Sequence, residues 1–145
     1  MPRRVTRAFA YGLAIAALGT SVPAWGQGAT ERVSLGPNGV QGDGPSEDTA
    51  LSADGRFVAF ASYASNLVPG DTNGGSDNEP DAFVHDRQTG RTTRVSVGPN
   101  GRQSNSSSYQ PALSADGRFV AFQSGASNLV PGDTNDIWDV FVHTR

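Results

Sequence analysis

Hydrophobic and polar positions divide the chain into two unlike parts. Residues 8–22 are apolar and uncharged, preceded by Arg3, Arg4 and Arg7 and followed by the small residues Ala24 and Gly26. Beyond residue 30, apolar residues come in short runs between clusters of Gly, Pro, Asn and Asp, which predicts strands and turns. In residues 56–62, Phe57, Ala59 and Ala61 fall on one face of an extended strand and Val58 and Phe60 on the other, so this strand expects a neighbour on each side. Residues 50–52 lead into it through Ala53-Asp54-Gly55, whose Asp-Gly pair suits a tight hairpin turn with positive φ. Residues 82–86 predict a third strand, Arg87-Gln88-Thr89-Gly90 a turn, and residues 92–97 a fourth. The predicted unit is a four-stranded antiparallel meander.

This unit occurs twice. Glu31-Arg32-Val33-Ser34-Leu35-Gly36-Pro37-Asn38-Gly39 returns 62 residues later as Thr93-Arg94-Val95-Ser96-Val97-Gly98-Pro99-Asn100-Gly101. Residues 50–60 recur at 112–122 and residues 64–73 at 126–135 with the same offset. Asp81-Ala82-Phe83-Val84-His85 answers Asp139-Val140-Phe141-Val142-His143 at an offset of 58, so the first copy carries four extra residues within 74–80, an insertion that implies a surface loop. The phase of the repeat also matters. Arg32-Val33-Ser34-Leu35 reads as an outer strand placed ahead of the first copy, and His143-Thr144-Arg145 stands where the first copy has His85-Asp86-Arg87 before its own fourth strand.

The first part of the chain reads as a Sec-type signal peptide over residues 1–26: a basic head, an apolar run shorter than the roughly 20 residues that span a bilayer, and small residues before a cleavage point. A retained anchor is the alternative. Twin-arginine export is disfavoured because Thr6 and Arg7 follow the arginine pair where apolar residues are wanted. The expected product is exported, periplasmic or extracellular, with no stable membrane insertion after cleavage.

Leu51-Ser52-Ala53-Asp54-Gly55-Arg56-Phe57-Val58-Ala59-Phe60 and its twin from Leu113 resemble the TolB-type, WD-repeat-like β-propeller motif, in which Ser-x-Asp-Gly turns into an apolar strand led by Lys or Arg. Asp81-Ala82-Phe83-Val84 and Asp139-Val140-Phe141-Val142 resemble that blade's third strand. The resemblance runs over nearly everything from residue 31 to residue 145. It implies an all-β fold of two four-stranded antiparallel propeller blades after an N-terminal signal helix: a partial β-propeller, residues 27–145, with repeat 1 at about 31–92 and repeat 2 at about 93–145. Such relatives are mostly interaction scaffolds of the periplasm or cell exterior. Propellers close with about four to eight blades, so two blades per chain imply completion across subunits, with a ring of three chains as the first choice.

Composition narrows the chemistry. With 36% hydrophobic residues in 145, the core is modest, and the absence of cysteine removes disulfides, thiolate metal sites and cysteine nucleophiles. Every basic residue is arginine; without residues 1–26 there remain 8 against 14 acidic residues, a net charge of −6. An acidic surface without a basic cluster disfavours nucleic acid and anionic lipid as partners. Asp71-Thr72-Asn73-Gly74-Gly75-Ser76-Asp77 and Asp133-Thr134-Asn135-Asp136 set oxygen ligands at alternate positions, the spacing by which loops wrap calcium, and Asp81 and Asp139 could each add a ligand. Asp71, Asn73, Asp77, Asp133, Asn135 and Asp139 are therefore candidate calcium ligands; the same residues also serve as turn formers, and Asp81 and Asp139 as strand caps.

His85 and His143 take equivalent strand positions, as a packing or hydrogen-bonding residue would. No Gly-x-Ser-x-Gly elbow occurs, and the polar run Ser104-Asn105-Ser106-Ser107-Ser108 reads as a connecting loop. Tyr63, Tyr109 and Trp138 are candidates for stacking on a partner or for filling a core or interface. The expectation is a non-catalytic module whose loops at residues 66–81 and 128–139 meet a protein or cell-envelope partner. A calcium-stabilised structural repeat and a fragment of a larger propeller are the alternatives.

Overall fold

The computed structural model describes residues 28–73 and 79–145. The expected signal peptide over residues 1–26 and the candidate ligand Asp77 lie outside the described residues. Residues 32–145 form one compact unit. Its strands are β1 (Ser46–Leu51), β2 (Phe57–Ser62), β3 (Asp81–Asp86), β4 (Arg91–Arg94), β5 (Ser108–Leu113), β6 (Phe119–Ser124) and β7 (Asp139–Thr144). They build two antiparallel meanders, a four-stranded sheet β1-β2-β3-β4 and a three-stranded sheet β5-β6-β7. The fold is all-β, as the alternation predicts.

Each Ser-Ala-Asp-Gly turn is closed by its own side chains. Asp54 accepts hydrogen bonds from the Ser52 hydroxyl (2.6 Å) and the Arg56 amide (3.0 Å), while Ser52 Oγ accepts from the Phe57 amide (2.9 Å). Ser114, Asp116, Arg118 and Phe119 repeat the arrangement. These bonds hold the Asp54 and Asp116 carboxyls below their ordinary pKa. Gly55 and Gly117 supply the left-handed residue at φ of 70° and 69°.

The sheets stack by unlike faces. Ala59, Ala82 and Val84 of the first sheet meet Val120 and Phe122 of the second, with Val95, Ala126 and Leu129 sealing the layer. The opposite face of the first sheet holds a second cluster, Phe60 and Phe83 with Ala64 and Leu67. Gly117 sits at the contact between sheets: a Cβ there would run into the Phe57 ring. The first strands of the two sheets carry matching bulges at Asp48 (φ 53°) and Gln110 (φ 51°), and Asp48 accepts a hydrogen bond from the Gln110 amide (3.1 Å).

Three boundaries differ from the expectation. The first strand of each repeat starts four residues earlier than its apolar part: Ser46 and Glu47, polar and exposed, pair with Ser62 and Ala61, and Asp48 and Thr49 form the bulge that separates them from Ala50. The fourth strand ends at Arg94: the Val95 and Ser96 amides both point to the Ala82 carbonyl (2.8 and 3.4 Å), which breaks the ladder, and the Val95 side chain becomes core between the sheets. Consequently the counterpart of β4 is residues 29–32, and not the Arg32-Val33-Ser34-Leu35 outer strand; those four residues form no strand, although Leu35 makes an isolated bridge to Gln41. The second repeat has three strands among the described residues, not four.

Candidate functional site

Residues 94–104, from the last residue of β4 onward, bind two repeats at once. Gly98 lies so close to loop 125–129 that a Cβ would collide with the Asn128 carbonyl oxygen, and Asn128 donates its side-chain amide to the Gln103 carbonyl (2.8 Å). Facing the other way, the same segment inserts Arg94, Ser96, Gln103 and Ser104 into the first repeat around Asp81. Asp81 Oδ1 accepts from the Ser96 hydroxyl (2.6 Å) and the Ser104 hydroxyl (2.7 Å), and Oδ2 from Arg94 Nη1 (3.0 Å) and Gln103 Nε2 (3.1 Å). Four donors meet the four lone-pair sites of one carboxylate. The Asp81 side chain is 1% exposed and that of Arg94 is 9% exposed, so the ion pair is desolvated and its geometry must be complete to be stable.

The loop singled out for calcium closes on this cluster. Asp71 Oδ1 and Asn73 Oδ1 both accept from Gln103 Nε2, and Thr72 donates its amide (3.2 Å) and hydroxyl (3.1 Å) to Gln103 Oε1. Arg94 Nη1 stands 3.4 Å from Asp71. The alternate oxygens of Asp71-Thr72-Asn73 thus grip a side-chain amide beside a guanidinium, and Asp81 adds its oxygen to that amide, in the role the sequence suggested toward a metal. Among the described residues no group of three or more His, Asp or Glu side chains is placed to hold a metal ion.

In the second repeat the equivalent residues are open. Asp133, Asn135 and Asp139 line a groove together with Val130, Val140 and Val142. Asn135 donates to Asp139 Oδ2 (3.0 Å) and accepts from the Ile137 amide (3.2 Å). Asp139 starts β7 as Asp81 starts β3, but the donors that fill Asp81 come from residues 94–104, and none of the described residues stands in their place. The groove presents carboxylate and amide oxygens beside apolar side chains, a surface for a cationic side chain or a hard cation.

The other candidate residues fall into place around this frame. His85 is buried in β3 with Nδ1 3.0 Å from Thr92 Oγ1, and since Thr92 donates its hydroxyl hydrogen to the Leu35 carbonyl, the imidazole is the donor in that pair. His143 lies on the matching face of β7, where burial, followed by the Arg145 charge, lowers its pKa. Tyr63 and Tyr109 share a hydrogen bond between hydroxyls (3.0 Å), which with burial pushes the Tyr63 phenol up, and Tyr109 stacks against Trp138 at 5.8 Å. This aromatic row bridges the two sheets and ends in the exposed Trp138 and Ile137. The Ser104-to-Ser108 run is no free loop, since Ser104 and Ser108 are buried and bonded to Asp81 and Ser124.

Sequence reasoning missed Arg94, Ser96 and Gln103. Their signal was in the repeat itself: Arg32, Ser34 and Gln41 stand at the same positions in the first copy, while Val40 and Gly42 differ from Arg102 and Ser104.

No family model and no curated protein matches the sequence. Among solved structures, that of TolB from Acinetobacter baumannii is similar to this chain at 15% identity with a TM-score of 0.25. The likeness covers 71% of this chain, which spans about a third (33%) of the TolB chain.

Proposed function

We propose that the protein is an exported, non-catalytic binding module that docks a protein of the cell envelope on the open end of its second sheet. One contrast carries this reading. β3 is buried on both faces over its first five residues, whereas its twin β7 alternates, leaving Val140 77% and Val142 65% exposed beside Trp138 and Ile137. A rigid strand with exposed β-branched residues, an exposed aromatic and a carboxylate at its start has the chemistry of an interface. The buried twin shows what such a surface takes up: an arginine, two serines, a glutamine and a valine.

The test is a photoreactive residue at Val142, installed in exporting cells, with one at the exposed turn residue Gln88 as control. A discrete adduct from Val142 and none from Gln88 is expected, on material recovered outside the cytoplasm whose N-terminal sequence starts near residue 27. No adduct at Val142, or equal labelling from both positions, would overturn the binding reading.

A further inference from the structure

We propose that the partner of the open groove is a second copy of this chain, which inserts its residues 29–41 against β7 as residues 91–103 insert against β3. This rests on the binding reading above and names its occupant.

Residues 33–41 of the inserted segment are already built, with Leu35 N to Val33 O and Gly42 N to Ser34 O bonds that repeat those of Val97 and Ser104. Gly36 and Gly98 share the same backbone angles within 2° (φ −86° for both, ψ −167° and −165°), and Asn38 and Asn100 are both left-handed at φ 59°. Asn66 donates to the Gln41 carbonyl at 2.8 Å as Asn128 does to that of Gln103. A Cβ at Gly36 would strike the Asn66 carbonyl oxygen just as one at Gly98 would strike that of Asn128. The bonds of each segment to its own repeat are therefore the same, and their outward sides differ. Ser96 is fully buried and Val95 is 1% exposed, while Arg32 and Gln41 are exposed and Val33 and Ser34 half-buried.

Transferring the internal junction residue by residue gives one register. Residues 29–32 pair with β7 as β4 pairs with β3, which sets Arg32 opposite Phe141 and Thr30 opposite His143. Thr30 takes the place of Thr92, between the imidazole and the Val97 carbonyl, the counterpart of Leu35. Arg32 and Ser34 then bond Asp139, Gln41 enters the Asp133-Thr134-Asn135 loop, and Val33 covers Val140 and Val142 where Val95 covers Ala82 and Val84. One donor is lost, because Gly42 replaces Ser104. Charge agrees with this occupant: a single guanidinium enters a groove that carries Asp133 and Asp139.

Complementary charge reversal tests it. In Arg32→Asp a carboxylate faces Asp139 of the next copy, and in Asp139→Arg two guanidiniums face each other; each reversal is expected to weaken self-association at least about tenfold, as loss of a buried charge partner does. An equimolar mixture restores one native Arg32–Asp139 junction per pair of chains. Light scattering on the separated species should show more than one chain mass for wild type, one chain mass for each variant at the same concentration, and at least two for the mixture. Matching circular dichroism and melting curves for the variants exclude unfolding as the cause. A wild type of single-chain mass at every concentration, variants that associate as wild type does, or a mixture that stays at single-chain mass would each overturn the proposal. If the purified wild type is a single chain while the Val142 adduct persists in cells, the occupant is another protein and the binding reading stands.

Discussion

Gln103 offers two amide hydrogens to three acceptors, Asp71, Asn73 and Asp81, so at least one of these oxygens shares a donor at any moment. The shortfall is met by Arg94, whose guanidinium lies against both carboxylates while its buried Nε has no partner among the described residues. Removing Asp81 leaves the buried guanidinium with Asp71 as its remaining carboxylate and takes the acceptor from the buried Ser96 and Ser104 hydroxyls, and Asp81→Ala is expected to destabilise by about 3–5 kcal/mol. Asp139→Ala, measured in dilute solution, should stay within about 0.5 kcal/mol of wild type, because its carboxylate lacks those donors. Urea unfolding of the two variants checks both. The same cluster bears on calcium. With every lone-pair site of Asp81 filled and a cation in place, the melting temperature should be the same in calcium and in chelator. A rise that vanishes in Asp133→Ala and Asp139→Ala would place the ion in the second loop instead.

Acid sensitivity has an identifiable residue. Asp86 is held far below the ordinary carboxylate range, first by its hydrogen bonds with Arg56 (2.8 and 3.0 Å) and also by the Gln88 amide (2.9 Å). A folded-state pKa below the unfolded value of about 3.9 adds stability that is complete above that value and is lost as the pH falls below it. Asp86→Asn should therefore flatten the fall in stability between about pH 5 and pH 2. Arg56 is 40% exposed, so solvent screens the pair and the change at neutral pH is small. Denaturant midpoints across that range provide the measurement.

At the level of elements, turns and apolar strands were legible and their edges were not. β2, β3, β6 and the two Asp-Gly turns follow from alternation and turn chemistry alone. The first halves of β1 and β5 do not, because Ser46 and Glu47 are polar and pair beyond a bulge at Asp48 that sequence does not mark. β4 was extended too far since Val95 continues its β-branched pattern, yet the Val95 and Ser96 amides share the Ala82 carbonyl and the Ser96 hydroxyl takes the Ala82 amide, which ends the regular ladder. The candidate site was half legible: oxygen-rich loops were found, but the occupant of the first is the Gln103 side chain, 30 to 32 residues further along, visible only once repeats pack. Packing also separates glycines that look alike. Gly70 and Gly117 are both left-handed, at φ 75° and 69°, but the first faces open space and the second the Phe57 ring. Gly70→Ala should cost about 1–2 kcal/mol from backbone strain, and Gly117→Ala about 1–3 kcal/mol more from overpacking. Chemical denaturation of the pair separates the two terms.

For the whole molecule, the decisive feature is that residues 94–104 belong to both repeats. Arg94 closes the β3–β4 ladder and Asp81, while Gly98 and Gln103 are fastened to Asn128. Neither sheet can melt without releasing groups that the other needs, so a single cooperative transition is expected where a chain of independent repeats would show two. With residues 1–26, and so Trp25, removed, Trp138 fluorescence, which reports on the second repeat, and far-ultraviolet circular dichroism, which reports on both sheets, should trace the same denaturation curve. The kinetic corollary is that the shared segment is a gate for folding: whichever repeat collapses first must wait for these residues to be claimed from the other side. The barrier to unfolding is then set less by the size of either core than by the lifetime of one eleven-residue clasp.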